Sequence, residues 1–427
     1  MNLLEALVSG QDLSVEGIES ATMTGPDGGV VGRFRDLLLH SHFQPILSLA
    51  HRRIVGYEGL VRPRGADGRH LAPAALFDAA ATTDEIVFLD RLARNLHVRN
   101  FLAAGQEEPW LFLNVNASVA IHNKHYAPYF NAMLTRHGLA PQRVVIELVE
   151  NEVPDEGLLA DAMRYYQDIG CLVAIDDFGA GHSNFERIWR VKPEIVKLDR
   201  ALLVQACESR RVRRVLPSLV ALLHESGCLT LIEGIETEAE VMVAMDAGVD
   251  FVQGYFFGRP APGLADGNAF AATLGRLCQD NMAINQHNGE RSRLALAPYV
   301  EAFQDFAGLS ADGPAAWAAL ARMLALPGVL RCCVLDRNGC QLGDNITAPG
   351  RGSEGDPRFR PVADAAGAVW ARRPYFRRAI AEPGKVQVSR PYLSVADAHM
   401  CVTLSVMVSN ADGEEVVVCA DIRWEDG

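Results

Sequence analysis

The chain lacks any apolar run approaching the roughly 18 residues that a membrane-spanning helix needs, so no span is expected. Its first ten residues have no basic stretch ahead of an apolar core and carry Glu5, which speaks against a secretory signal. No Cys-x-x-Cys pair occurs. The nine cysteines are an odd number scattered through apolar runs, as at Cys171, Cys228, Cys401 and Cys419, which suits buried reduced thiols better than a disulfide framework. A cytoplasmic protein is the expectation. Positive charge is scarce as well: 40 Lys and Arg against 53 Asp and Glu leave a net charge of -13. Such a balance disfavours a grip on polymeric nucleic acid, whose affinity comes from neutralised phosphates. A small phosphate ligand stays possible, because bound metals supply positive charge locally. The low hydrophobicity that marks disorder is missing too, with 49% hydrophobic and 22% charged residues, and 427 residues suggest two or three domains.

What is present is a regular succession. Residues 1–30 end in the turn-rich Thr24-Gly25-Pro26-Asp27-Gly28-Gly29 and read as an extension or short helix plus linker, and Arg33 to His40 looks helical. Apolar β-runs then occur at Phe43–Leu49, Ile54–Leu60, Trp110–Val115, Arg143–Val149, Leu172–Asp177, Ile195–Leu198, Leu229–Glu233 and Phe251–Phe256. Helical patterns lie between most of them, at Ala74–Ala103, Tyr126–His137, Glu156–Ile169, Arg210–Ser226 and Glu238–Ala247. Eight strands alternating with helices predict a closed (β/α)8, TIM-like barrel in the α/β class.

The strands end alike. Glu58, Asn114, Glu147, Asp176 with Asp177, Lys197 with Asp199, Glu233 and Gln253 each stand at or near the C-terminal end of a run, the face on which barrels build active sites. Adjacent carboxylates at Asp176 and Asp177 repel unless cations hold them ionised, and they share one site only where the strand turns, as Gly179 and Gly181 allow. Glu58, Asn114, Glu147 and Asp176 would make one oxygen-rich cation site, with Asp177 and Glu233 able to hold a second beside it. Hard oxygen ligands select Mg2+ or Mn2+ over zinc. Two such ions about 3.5–4 Å apart activate water against a phosphodiester.

These motifs resemble the EAL domain, the cyclic di-GMP phosphodiesterase family, over residues 40–262. Its marks stand here as Phe43-Gln44-Pro45-Ile46, Glu58-Gly59-Leu60 with Arg62, Asn114, Glu147-Leu148-Val149-Glu150, Asp176-Asp177-Phe178-Gly179, Lys197-Leu198-Asp199, Glu233-Gly234-Ile235-Glu236-Thr237 and Gln253-Gly254-Tyr255. The resemblance implies a barrel whose first strand is antiparallel and two Mg2+ or Mn2+ ions. By it, Glu58, Asn114, Glu147 and Asp176 match ligands of the first metal and Asp177 a ligand of the second. Lys197 and Glu233 match the pair at the attacking water, with Glu233 also a candidate ligand. Gln44, Leu60, Arg62, Asp199 and Gln253 match positions that hold the cyclic di-GMP. Glu150 and Glu236 match supports of the loop after Asp177, which the family ties to homodimer contacts. Two departures stand out: Gly59 replaces the signature alanine, where a cost in backbone rigidity is expected, and Ala180 and His182 replace the commoner Thr and Tyr. The implied activity is hydrolysis of cyclic di-GMP to linear pGpG; the alternative is a weak or inactive cyclic di-GMP receptor.

Other signals are thinner. His122 and His125 lack a Cys or carboxylate partner and read as solvated, and Arg210, Arg211, Arg213 and Arg214 as a salt-bridged helix face. The composition changes after Pro260-Ala261-Pro262-Gly263, giving expected divisions of 1–30 extension, 31–264 barrel, 265–290 helical linker and 291–427 a smaller α+β domain. That last part resembles, loosely, PAS and Cache sensor domains through Arg373-Pro374-Tyr375-Phe376-Arg377 and Pro391-Tyr392-Leu393-Ser394. Its Tyr375, Phe376 and Tyr392 are expected as core, with a pocket for an unknown small ligand as the other reading. Cys332 and Cys333 are expected as inert buried thiols.

Overall fold

The computed structural model describes residues 12–65, 67–116, 127–149, 156–180, 185–307, 314–347, 364–394, 399–410 and 412–424. The chain divides into two compact units, Met1–Ile284 and Asn285–Gly427. In the first, strands β1 (Thr22–Thr24) and β2 (Val30–Phe34) lead into β3 (Leu37–Ser48), β4 (Arg53–Arg64), β5 (Trp110–Val115), β6 (Val144–Val149), β7 (Leu172–Phe178), β8 (Ile195–Leu198), β9 (Leu229–Ile232) and β10 (Phe251–Gln253). The order β3-β10-β9-β8-β7-β6-β5-β4 closes through β3–β4, which makes an eight-strand barrel. β3 runs antiparallel to both β4 and β10, and all other neighbours in the barrel are parallel. The TIM-like fold with an antiparallel first strand is thus present.

Alternation along the strands explains where the site forms. The barrel interior is plugged by Ile46, Phe112, Val145, Ala174, Ile195, Leu231 and Phe251, all buried. Side chains two residues along a strand share a face. The next inward position on these strands is Gln44, Asn114, Glu147, Asp176, Lys197, Glu233 and Gln253. On β4 the plug position is Gly56, where a Cβ would stand 2.7 Å from the Phe112 ring, and the next inward residue is Glu58. An apolar layer therefore underlies a polar one. The outward faces, Leu111, Leu113, Ile146, Leu148, Val173, Ile175, Val196 and Ile232, pack with the surrounding helices into the main core.

Three local expectations are corrected. Residues 33–40 are not helical: β2 and β3 form a hairpin, with Phe34 paired to Leu37 and Arg35 left-handed at φ 54°. Pairing against the barrel edge overrides a weak helical pattern. The expected helix 74–103 is two, Pro73–Asp78 and Thr83–Ala103, the second capped by Thr82, whose hydroxyl accepts from the Glu85 amide. The helical linker expected at 265–290 does not end there: one helix, Ala271–Ala307, with Pro298 inside it, runs from within that stretch into the expected α+β part. The short N-terminal helix, Val15–Ser20, is present, and its Val15 and Ile18 belong to the barrel unit's core.

The second unit is a smaller sheet domain. β11 (Val329–Leu335), β12 (Gln387–Val388), β13 (Tyr392–Leu393), β14 (Met400–Ser409) and β15 (Glu415–Arg423) pair antiparallel, with β15 between β11 and β14. The helix Pro374–Ala381, unread in the sequence, buries Tyr375, Phe376 and Ala379 beside this sheet. None of the nine cysteines is in a disulfide; Cys332 is buried and Cys333 half-buried. Among the described residues no helix is long and apolar enough to cross a membrane.

Candidate active site

Lys197 sits at the centre. It comes from the end of β8, is 1% exposed, and places its Nζ 2.5 Å from Glu233, 2.7 Å from Glu147 and 3.2 Å from Asp176. Around this ammonium the other side chains interlock. The Asn114 amide donates to Glu58 Oε1 at 2.8 Å, and Gln253 Nε2 donates to Glu58 Oε2 at 2.7 Å and to Gln44 Oε1 at 3.2 Å. Gln44 in turn donates to the Gly258 carbonyl at 3.1 Å. Side chains from all eight barrel strands, with Glu233 just past the end of β9, thus meet in one cluster.

Asp176 and Asp177 reach the same side by a backbone device. The pairing of β7 with β8 shifts register between Ile175 and Phe178, and Asp177 adopts φ 57°. A bulge with one left-handed residue turns the second carboxylate back toward the first, against ordinary alternation. The Asp177 N–H donates to Asp176 Oδ1 at 2.9 Å. Carboxylate oxygens of Asp176, Asp177 and Glu233 come within 4.8 Å of one another. The sequence located the turn in the glycines; Gly179 is left-handed at φ 104°, but Asp177 already begins it. Gly181, His182 and Glu150 lie outside the described residues, as do His122 and His125.

The electrostatics fit a cation-binding nest. Burial opposes ionisation of Glu58, yet Lys197 and the amides of Gln253 and Asn114 hold its carboxyl below the ordinary range. Burial pushes Glu147 well above that range, and Glu58, Asp176 and Glu233 add to the shift against Lys197. For Glu233 burial raises the value from 4.5 to about 8, again against Lys197. Lys197 is disfavoured by burial, but Asp176, Glu147, Glu233 and Glu58 hold it well above its ordinary range. Among the described residues, buried Glu147 Oε2 has no hydrogen-bond partner. With all five carboxylates ionised, as bound cations would hold them, they and the ammonium sum to -4, the charge that two divalent cations cancel, and hard oxygen donors suit such ions.

The remaining sequence candidates spread outward. Leu60 and Arg62 line a cavity of about 320 Å3 together with Glu58 and Asn114. Asp199 caps the helix Arg200–Glu208, its Oδ1 accepting from the Ala201 amide at 2.7 Å. Glu236 is exposed and pairs with Arg200 at 3.1 Å. Arg213 pairs with Asp246 at 2.9 Å, which ties down part of the arginine cluster.

Sequence reasoning missed the residues behind the site. Asp90, buried with its ion-pair partner Arg94, accepts the Asn116 amide at 3.0 Å and so fixes the chain just beyond Asn114. The visible signal was an oppositely charged i, i+4 pair inside an apolar helix stretch. His97, 3% exposed, bonds through Nδ1 to Ser41 Oγ at 2.9 Å and packs over Gly59. A Cβ at Gly59 would lie 2.8 Å from His97 Cγ. The missing methyl is therefore a matter of side-chain packing as well as backbone freedom, and no sequence motif announces it.

Comparison with known proteins follows the same outline. The probable cyclic di-GMP phosphodiesterase PdeN of Escherichia coli K12 is 27% identical over 225 residues, 52% of this chain and 43% of that protein. The cyclic di-GMP phosphodiesterase RocR of Pseudomonas aeruginosa is 27% identical over 230 residues, 52% of this chain and 57% of its own length. The chain thus spans only about half the length of these curated relatives. A crystal structure of the Bacillus subtilis YkuI protein, with an EAL domain, in complex with substrate c-di-GMP and calcium, is similar in fold. Its TM-score is 0.74 at 22% identity, over 91% of this chain and 97% of that one. The likeness of fold therefore continues past the barrel. The family model described as EAL domain matches residues 33–260, and this chain belongs to the EAL domain family.

Proposed function

We propose that the barrel hydrolyses cyclic di-GMP to linear pGpG with two divalent cations, Mg2+ or Mn2+. The observation that carries this reading is the ring of Glu58, Asn114, Glu147, Asp176, Asp177 and Glu233 around buried Lys197 at one rim of the barrel. The names of relatives at 27% identity support the substrate.

Glu58, Asn114, Glu147 and Asp176 would hold one cation, and Asp177 with Glu233 the other beside Asp176. The cations, when bound, polarise the attacking water and offset charge on the leaving oxygen. Glu233, half-open to the cleft, accepts the water's proton, while the Lys197 ammonium fixes that carboxylate and offsets phosphate charge. Arg62 faces the phosphate or guanine in the cavity beside Glu58, with Gln44, Leu60, Asp199 and Gln253 completing the substrate contacts. Glu236, through Arg200, and Glu150 steady the loop after Asp177, on which a homodimer contact would act. Residues 31–264 carry the chemistry, in the cytoplasm, and the C-terminal unit tunes it.

The test is turnover of cyclic di-GMP with Mg2+ or Mn2+, followed by appearance of pGpG. Binding without turnover in either metal would replace the enzyme by a receptor, and absence of binding would remove the substrate assignment. Calcium, with looser and higher coordination, is expected to support binding but not hydrolysis.

A further inference from the structure

The C-terminal unit contains a cavity of about 40 Å3 that the barrel's chemistry does not use. Its volume admits a few waters or a solute of a few heavy atoms, since one water occupies roughly 10–15 Å3 by this measure. Its wall is held in place by its own hydrogen bonds. Gln341, 3% exposed, accepts the Trp370 indole N–H at 3.0 Å and donates to the Gly343 carbonyl at 3.2 Å. The Tyr392 hydroxyl shares a 2.6 Å hydrogen bond with Thr403.

The charges on this wall do not balance. Asp421 is already engaged: Oδ2 accepts Arg331 Nε at 2.9 Å and Nη2 at 2.6 Å, and Oδ1 accepts the Thr403 hydroxyl at 2.7 Å. Arg373 is the second guanidinium, and among the described residues it has no carboxylate partner; it lies 5.8 Å from the Trp370 ring centroid and 5.7 Å from that of Tyr392. Tyr375 is 8% exposed and stacks on Tyr392 with centroids 6.2 Å apart. Its hydroxyl has no hydrogen-bond partner among the described residues and is not itself fully buried, so its donor is available to the cavity that it lines. One uncompensated cation, one unspent donor and two aromatic faces converge on the same small space.

We propose that this cavity binds a small organic carboxylate, of roughly two or three carbons. Its oxygens take the Arg373 guanidinium and the Tyr375 hydroxyl, and its carbon end lies against Trp370 and Tyr392. A planar carboxylate matches the guanidinium fork. A cationic ligand would meet Arg373 with no free carboxylate to receive it.

Full-length protein, stripped of divalent cations on a chelating resin, is titrated calorimetrically with acetate, propionate and pyruvate, and with inorganic phosphate and methylammonium. Saturable heat with the carboxylates is expected, weakened roughly tenfold or more in Arg373→Gln and to a smaller extent in Tyr375→Phe. Tyr375→Phe keeps the stacked ring, so it remains informative even if Arg373→Gln fails to fold. Saturation is also expected to change tryptophan emission at the same midpoint, a change lost in Trp370→Phe. No saturable binding up to tens of millimolar, equal affinity in parent and both variants, or preference for phosphate or methylammonium would each overturn the proposal.

Discussion

Adding one methyl at Gly59 should damage this barrel. The residue next to Glu58 on β4 faces outward against His97, and a Cβ there would lie 2.8 Å from His97 Cγ and 3.0 Å from both Cβ and Cδ2. The ring cannot swing away cheaply: Nδ1 is bonded to Ser41 at 2.9 Å, and its face edges Phe43 at a centroid distance of 6.2 Å. Gly59 has no left-handed backbone requirement, so Gly59→Ala would by itself gain about 0.4–1 kcal/mol through the unfolded chain. Overpacking costs about 1–3 kcal/mol. The net expectation is about 1–2 kcal/mol of destabilisation, with a fall in turnover because β4 carries Glu58 at the adjacent position. His97→Ala alone should cost about 2–4 kcal/mol from the lost ring. In the double variant the new methyl enters the vacated space, so the two changes should couple favourably by about 1–3 kcal/mol. Denaturant midpoints of the four proteins, with turnover of each, measure that cycle. A Gly59→Ala protein as stable as its parent, or a coupling near zero, would refute the packing account.

Three further outcomes are expected. Asp176→Asn should abolish turnover together with metal occupancy, whereas Lys197→Met should reduce turnover and spare most of the metal; equal metal loss in both, by elemental analysis, would contradict the division of roles. Burial lowers His97 from 6.5 to about 3, so the folded protein keeps it neutral while the unfolded chain protonates below 6.5; stability attributable to it should fall by about 1.4 kcal/mol per pH unit from 6.5 toward 3, a slope absent in His97→Gln. For the C-terminal unit, Leu274 and Leu277 lie in the barrel core, so truncation belongs after Ile284 rather than at 264, the barrel end expected from the sequence. Control by that unit predicts changed turnover or oligomeric state in the still-folded barrel; no change in either would leave it without a regulatory role.

The barrel was legible because each strand carries its own signal, an apolar run closed by a polar residue of the inner face. Asn114, Glu147, Asp176, Lys197 and Gln253 each follow an interior plug residue by two positions, so period and chemistry coincide in one short segment. What sequence could not show depends on contacts between distant segments. The β2–β3 hairpin turns at Arg35, a residue type that gives no left-handed signal, and its strands are stabilised by the barrel edge. His97 and Gly59 are complementary only once the helix Thr83–Ala103 lies over β4, and Asp90 finds the Asn116 amide 26 residues away by the same packing. The bulge at Asp176–Asp177 was half visible: the paired acids implied a turn, but not which residue would bend.

The left-handed backbone at Asp177 also narrows what substitution there can reveal. Asp, Asn and Gly tolerate this conformation, whereas β-branched residues strongly resist it. A Val or Thr at 177 would unbend the strand and move Asp176 with it, so its inactivity would say nothing about charge. Asn keeps the curvature and removes only the carboxylate. Position 177 thus restricts its own mutational spectrum through shape before chemistry is asked, and Asp177→Asn is the substitution that separates the two.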